Sequence, residues 1–413
     1  MAKLQDITPK HWLRRFYTLF CIIIARFIRF SRVLKNHATP SSRALKLVLL
    51  ISRPQDIDLF IDIYHHARTR PDIEISFWAT KRALTHFPAT RKLLAEAGIQ
   101  PSFHLGHGNL IAATLKLLKI DAFLNTVEST VARHKVPYLI TTIANASGVH
   151  TYTMQHGFEN VGLTYNDPDL GHEVRFAAQH VLTWGPVNQL PGIVAPETRR
   201  KCLAVGSPKV HLTRIDKPRK ATTGTADHPP IIAVFEGLHV DRFDDRYLLL
   251  FFADLQHLAD TFTNLHFILK PHPGIVKRSR IHTEFLYSLR GIKVLDPARR
   301  ESTIWSTPKL LTHALAVITT PSTIALDAAM VAAPVAVTRY GQQIPYYDYY
   351  KPLPLIDTTR DLENFISLAL TDQTRLQDLS RSFLERVCMP GNAAERILDT
   401  ISKQAVKHPS QTS

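Results

Sequence analysis

The chain has 413 residues, 45% hydrophobic and 21% charged, which excludes a disordered or collagen-like polymer and allows two domains of ordinary size. Cys21, Cys202 and Cys388 share no short spacing, which excludes a disulfide framework and a cysteine-rich zinc site. The formal charge of +15 asks for an anionic partner: nucleic acid, a membrane surface or a phosphorylated substrate.

Much of that charge stands at the start. Between Met1 and His37 there are eight Lys or Arg residues against Asp6 alone. At helical spacing Trp12, Phe16, Leu19, Phe20, Ile23, Phe27 and Phe30 share one side, with Arg15, Arg26, Arg29 and Arg32 on the other. The uncharged run Phe16–Ala25 is ten residues, about half of the ~20 needed to span a bilayer. Residues 1–40 therefore read as a basic amphipathic helix lying in a membrane interface, with its arginines toward anionic headgroups. A helix packed on the protein's own body is the competing reading. A cleaved signal peptide would need small residues near Ala25, which are missing.

Asn36–Ser42 reads as a linker, after which strand and helix patterns alternate. The strands expected are Leu45–Ile51, Ile73–Trp78, Asp121–Val127, Thr151–Met154, Val181–Trp184 and Leu203–Val205. Helices are expected over Asp56–Arg68, Lys81–Ala97, Leu110–Leu118 and Val136–Ser147, with Gly98 as a C-terminal stop. Residues 41–212 thus form one α/β domain. Thr213–Pro230 is polar, carries Arg214, Lys217, Arg219 and Lys220, and reads as the interdomain linker. Alternation resumes over 231–390, with strands Ile231–Phe235, Leu265–Leu269, Ile292–Leu295, Leu315–Thr319 and Val335–Thr338. Residues 391–413 give a last helix and a polar tail. The expected fold class is α/β: two facing, mainly parallel, Rossmann-like domains with a cleft between them.

Four places could carry chemistry. The strand Leu265–Leu269 runs into Lys270-Pro271-His272-Pro273, where two prolines frame an imidazole at a strand end, the place where open α/β sheets bind ligands. Some fifty residues later Leu315–Thr319 ends in Thr320-Pro321-Ser322-Thr323 and opens into a helix whose first amides suit a phosphate. A Ser there is also a routine N-cap. Asp327, one turn on, could reach ribose hydroxyls or be a solvated helix acid. In the first domain Thr151–Met154 delivers Gln155-His156-Gly157-Phe158-Glu159 into a loop. His156 could take a proton from an acceptor hydroxyl, and Gly157 suits close backbone approach or a positive φ. Glu236, after Ile231–Phe235, is a second candidate base or a helix-start acid. Asp167-Pro168-Asp169 reads as a turn rather than a metal pair. No metal cluster and no cofactor are expected.

Gln155-His156-Gly157, Trp184-Gly185-Pro186, Val205-Gly206-Ser207-Pro208, Lys270-Pro271-His272-Pro273 and Pro321-Ser322-Thr323 with Ala325-Leu326-Asp327 form a series in fixed order. In that series the chain resembles GT-B-type glycosyltransferases, in particular bacterial capsule and surface-polysaccharide synthesis proteins, and more widely the CDP-glycerol glycerophosphotransferases. The resemblance covers roughly 45–390. It implies His156 as the base, and His272, Ser322, Thr323 and Asp327 as holding the donor's nucleotide. From the residues themselves, Lys270, Pro273 and Gly206 are also expected on the donor side, Gln155, Gly157 and Glu159 toward the acceptor, and Glu236 as a further catalytic candidate. Family members usually carry glutamate where Asp327 stands. The His-Pro and Ser-Thr pairing also resembles CMP-sugar transferases, but Phe235-Glu236-Gly237 has one acid where those carry two.

The expected function is metal-independent transfer of a sugar from a nucleotide-activated donor to a cell-surface glycan or its lipid-linked precursor. The expected place is the cytoplasmic face of the inner membrane, held peripherally on anionic lipid, with a polysaccharide assembly complex as a further partner and no nucleic acid. A CDP-alcohol phosphotransferase, a UDP-sugar 2-epimerase and a non-catalytic export scaffold are the alternatives.

Overall fold

The computed structural model describes residues 9–36, 43–165, 173–209, 229–237, 243–272, 280–296, 304–342 and 345–406. Pro273, Asp167-Pro168-Asp169, and most of the expected linkers at 36–42 and 213–230 lie outside those residues.

The first domain is a seven-stranded sheet. Its strands are β1 Leu45–Ile51, β2 Ile73–Thr80, β3 Phe103–Leu105, β4 Ala122–Asn125, β5 His150–Met154, β6 His180–Thr183 and β7 Cys202–Ala204, in the order β3-β2-β1-β4-β5-β6-β7. Every pairing is parallel. The reason is written in β1, where Leu47, Leu49 and Ile51 enter one core while Val48 and Leu50 enter another. A strand apolar on both faces needs helices on both faces, and crossover helices produce parallel neighbours.

The second domain repeats the plan with β8 Ile231–Glu236, β9 His266–Pro271, β10 Ile292–Val294, β11 Ala314–Thr319, β12 Val335–Thr338 and β13 Leu355–Ile356. Their order is β10-β9-β8-β11-β12-β13, again parallel. Both sheets reverse direction of winding beside their first strand, between β1 and β4 and between β8 and β11. Ligands of open α/β sheets bind in the crevice outside the carboxyl ends at such a reversal.

The short edge strands β3 and β13 escaped the sequence reading, since two or three residues show no periodicity. The expected helix Lys81–Ala97 is two helices, Lys81–His86 and Pro88–Glu96; Pro88 supplies no amide to continue the first. Thr80 caps the first of them by accepting from the Ala83 amide at 3.1 Å. The helix that opens after Thr323 runs over Ile324–Met330.

The N-terminal helix, Pro9–Asn36, packs on the first domain by one face, as the competing reading expected. Cys21, Ala25 and Ile28 are buried against the segment Leu110–Lys119 and the helix Lys135–Ala146. The opposite face is left open: Leu13, Phe16, Leu19, Phe20, Ile23, Phe27 and Phe30 are 44–69% exposed. Arg32 departs from expectation, because it donates to the Leu117 and Ile120 carbonyls instead of facing outward. No helix among the described residues is long and apolar enough to cross a membrane.

The chain finally crosses back. After the helix Gln373–Val387, the Met389 amide donates to the Trp184 carbonyl at 2.8 Å. The helix Ala393–Val406 then packs on Gln55–Ala67 of the first domain. Arg70 pairs with Asp399, and Arg396 Nε donates to the Val205 carbonyl at 2.9 Å.

Candidate active site

At the end of β5 Gln155 turns inward and fixes the loop. Its Oε1 accepts from the Trp184 amide at 2.9 Å and its Nε2 donates to the Gly157 carbonyl at 3.0 Å. Expected to face the acceptor, Gln155 is instead 1% exposed and holds the loop's shape. The His156 amide donates to Asn160 Oδ1 at 3.2 Å, and its ring Nδ1 lies 3.0 Å from the Thr126 carbonyl. A carbonyl can only accept, so Nδ1 carries the proton and Nε2 presents a lone pair. Burial, then the charge of Arg53, depress the His156 pKa to about 3, which keeps the ring neutral.

This loop meets the second domain directly. The Phe158 amide donates to Thr323 Oγ1 at 3.0 Å. Phe158 stacks on Tyr349 with centroids 4.6 Å apart and planes 4° apart, and it meets Phe383 edge-on at 5.3 Å. The Tyr350 hydroxyl donates to Glu159 Oε1 at 2.9 Å. Glu159 and Thr323, expected toward acceptor and donor, thus both join the two domains. Of the two readings of Gly157, close approach is the right one: a Cβ there would stand 2.8 Å from Thr323 Oγ1.

The second domain lines up its candidates along one carboxyl edge. His272 follows β9, and its amide donates to the Glu236 carbonyl at the end of β8 at 2.8 Å. The Gly237 amide donates to Thr320 Oγ1 after β11 at 2.9 Å. Neighbouring strands are ~4.8 Å apart, so His272 and Ser322, two strands apart, share an edge on the order of 10 Å long. The His272 side chain is exposed. Ser322 Oγ accepts from the Ile324 amide at 3.2 Å and lies 3.0 Å from Thr319 Oγ1. Lys270 Nζ donates to the Trp305 carbonyl at 2.7 Å, and burial lowers its pKa.

Asp327 is the acid best placed for a ligand. Its Oδ1 is buried and has no hydrogen-bond partner among the described residues. Burial raises its pKa, Lys209 opposes that, and Asp58 adds to it. A buried, unfilled acceptor is costly unless something donates to it, and a sugar or ribose hydroxyl would.

Glu236 is 2% exposed at the end of β8, where its carbonyl accepts from the His272 amide. One expected donor-side residue lies elsewhere. Gly206, at φ +88°, sits under the returning chain, where a Cβ would meet Arg396 Nη2 at 2.7 Å and the Met389 carbonyl at 3.0 Å. Its glycine serves the domain crossover. A cavity of about 690 Å³ beside Lys81, Arg91 and His104 contains none of these residues. Among the described residues no group of three or more His, Cys, Asp or Glu side chains is placed to hold a metal ion.

Sequence reasoning passed over the residues around His156. Asp56 binds the Ser52 amide at 2.6 Å, the Arg53 amide at 2.9 Å and the Thr126 hydroxyl, so it fixes the turn after β1. Arg53 Nη2 lies 3.0 Å from His134 Nε2, and His134 Nδ1 lies 2.7 Å from Ser129 Oγ. Their signal was position alone: Ser52-Arg53 and Thr126 end the two strands that flank the reversal.

Two facing Rossmann-like domains with a cleft between their carboxyl edges define the GT-B architecture. Solved structures share it. The UDP-GlcNAc 2-epimerase from Neisseria meningitidis, bound to UDP-GlcNAc, superposes with a TM-score of 0.60 at 14% identity, over 87% of this chain and 100% of that one. A glycosyltransferase from Rickettsia africae gives 0.54 at 13%, over 88% and 99%. The wall teichoic acid polymerase TagF, as its H548A variant, gives 0.51 at 13%, over 92% and 98%. No family model and no curated protein matches the sequence.

Proposed function

We propose that the protein is a glycosyltransferase that moves a sugar from a nucleotide-activated donor to a hydroxyl of a surface glycan or its lipid-linked precursor. The observation that carries this reading is the Phe158–Thr323 contact, which sets the His156 loop and the Ser322-Thr323 turn on one cleft. His156 Nε2 takes the acceptor hydroxyl proton as that oxygen attacks the anomeric carbon. The bond from that carbon to the phosphate oxygen breaks, and the leaving phosphate collects the charge. Lys270, His272 and the Ser322 hydroxyl offset it, without a metal ion in this scheme. Asp327 accepts from a donor hydroxyl. The structural neighbours support a nucleotide-sugar ligand, since one of them holds UDP-GlcNAc.

Stabilisation against heat, screened across CMP-, CDP-, UDP- and GDP-activated compounds, tests the donor. His272→Ala should weaken nucleotide binding, while His156→Ala should abolish turnover and leave binding intact. Unchanged turnover in both variants rejects the assignment. The second reading, a UDP-sugar 2-epimerase, draws on the same neighbours; conversion of UDP-GlcNAc to its epimer with no acceptor present would establish it instead. CDP-glycerol transfer is tested in the same screen.

The reading extends to location: a peripheral protein on the cytoplasmic face of the inner membrane, held by Pro9–Asn36 on anionic lipid. The exposed aromatic face of that helix, flanked by Arg15 and Arg26 and extended by exposed Leu115 and Leu118, supports it. Apolar rings beside arginines suit a charged lipid surface better than a second protein.

A further inference from the structure

The β3 edge of the first domain holds a cavity of about 690 Å³ that the transfer chemistry does not use. We propose that it is a binding site for an acidic saccharide, a sugar bearing a carboxylate or a phosphate. Assigning that saccharide to the acceptor rests on the transferase reading; the site itself does not.

The chain leaves β2 at Thr80, forms the short helices Lys81–His86 and Pro88–Glu96, and returns as the edge strand β3. Lys81, Arg91 and His104, one from each of those three elements, line the space between them. Leu84, Leu94 and Ile99 form its apolar walls, the last two buried in the core against the sheet. Lys81 is seated by its stem: a Cβ on Gly106 would meet its Cδ at 3.1 Å, so the methylenes lie along glycine backbone.

Nothing on this part of the chain opposes the two permanent cations. From Lys81 to Ile120 the sequence has one acid, Glu96, and Glu96 pairs with Lys92 at 3.7 Å. Among the described residues no acid lines the cavity, and neither Lys81 nor Arg91 has an ion pair. Cations gathered in a recess without a counter-ion attract an anion, and a guanidinium holds a carboxylate or phosphate through two parallel bonds. Gln100, also in the lining, supplies an amide that both donates to and accepts from hydroxyls.

The walls choose among anions. A free inorganic ion gains nothing from Leu84, Leu94 and Ile99, whereas the C–H face of a sugar ring is removed from water on them. A nucleotide base is held best by stacking, and among the described residues no Phe, Tyr or Trp side chain lines the cavity. A membrane lipid would have to arrive from the wrong side. Leu94 and Ile99 share the core of Leu47 and Leu49, while the N-terminal helix packs on the opposite face with Val48 and Leu50.

Lys81 and His156 follow the parallel strands β2 and β5, so both stand at the carboxyl edge. In the order β2-β1-β4-β5 three strand spacings separate them, about 14 Å in all. Several sugar units span such a distance. The cavity thus engages a part of the glycan remote from the reacting hydroxyl, and selects for a charged repeat without touching the chemistry.

The test is calorimetric titration of the full chain with oligogalacturonate and with a phosphomannan oligosaccharide, against a neutral malto-oligosaccharide. Wild type is compared with Lys81→Gln/Arg91→Gln and with Ala95→Trp, which fills the cavity and keeps its charge. Arg360→Gln/Arg375→Gln, on the second domain, is the charge-matched control. All five positions are exposed, and thermal melts monitor folding. We expect an acidic saccharide to bind wild type and the control alike, and each cavity variant about tenfold more weakly; the neutral one should show no such dependence. Failure of both acidic saccharides to bind wild type, an equal loss in the control, or affinity that ignores the cavity variants overturns the proposal. So does binding of farnesyl phosphate but of neither acidic saccharide. Preference for oligogalacturonate assigns a carboxylate, and preference for phosphomannan a phosphate. A cavity-dependent saccharide site in a protein that no nucleotide-activated compound stabilises supports the site and rejects the transferase reading alone.

Discussion

His156 and His134 are neutral for the same reasons, burial and the Arg53 charge, and that has a consequence for acid stability. In the unfolded chain both rings titrate near about 6.5. Between about 6.5 and 3 the unfolded state therefore binds more protons than the folded one, and stability falls as the pH drops. Glu128 acts in the opposite sense: burial raises its pKa to about 7 although the Ala177 and Ala178 amides donate to it, so it favours the folded state as pH falls toward its ordinary range. The difference in urea midpoint between pH 7 and pH 5 should be larger in wild type than in His134→Asn; equal differences would count against a buried neutral His134. Gly157→Ala puts a methyl 2.8 Å from Thr323 Oγ1. Overpacking of that kind costs about 1–3 kcal/mol, and chemical denaturation should show it together with reduced turnover.

At the scale of single elements, the helix Pro9–Asn36 poses the clearest physical problem. Its small residues Cys21 and Ala25 let it approach the first domain, which turns the bulky aromatic face away from the protein. Burying a Phe side chain contributes about 1.5–3 kcal/mol, so four exposed rings carry a large unused driving force. Phe16, Phe20, Phe27 and Phe30 changed together to Ser should abolish sedimentation with vesicles containing phosphatidylglycerol. Arg15→Gln/Arg26→Gln should weaken it for anionic vesicles only. Arg29 and Arg32 are poor choices for that experiment, since Arg29 packs over Gly148 and Arg32 holds two carbonyls. Wild-type protein that stays in the supernatant at every lipid composition would end the membrane reading.

At the scale of the whole molecule, two ties between the domains stand out among the described residues. One is the Phe158 loop against Thr323, Tyr349 and Tyr350. The other is the returning chain, where Arg396 donates to Val205 and Met389 to Trp184. Arg396→Ala leaves a half-buried carbonyl unanswered at a cost of about 1–3 kcal/mol. It should lower the melting temperature and split the melt into two transitions if that tie couples the domains; a single transition at an unchanged temperature would show that the Phe158 loop suffices.

The amino-acid sequence by itself determined the class of fold, because runs such as Leu45–Ile51 are apolar on both faces and alternate with amphipathic stretches. It also brought out His156, His272 and the Ser322-Thr323 turn, since each stands in a short motif at the end of a readable strand. What only the tertiary structure decided is which of these side chains hold the protein together. Gln155, Glu159, Thr323 and Gly206 look like site residues in one dimension, yet their partners lie in another domain or across the sheet, at separations no local pattern records. Arg53 and His134 are the converse: neither sits in a motif, and only the strand order, which sets β1 beside β4, brings them together.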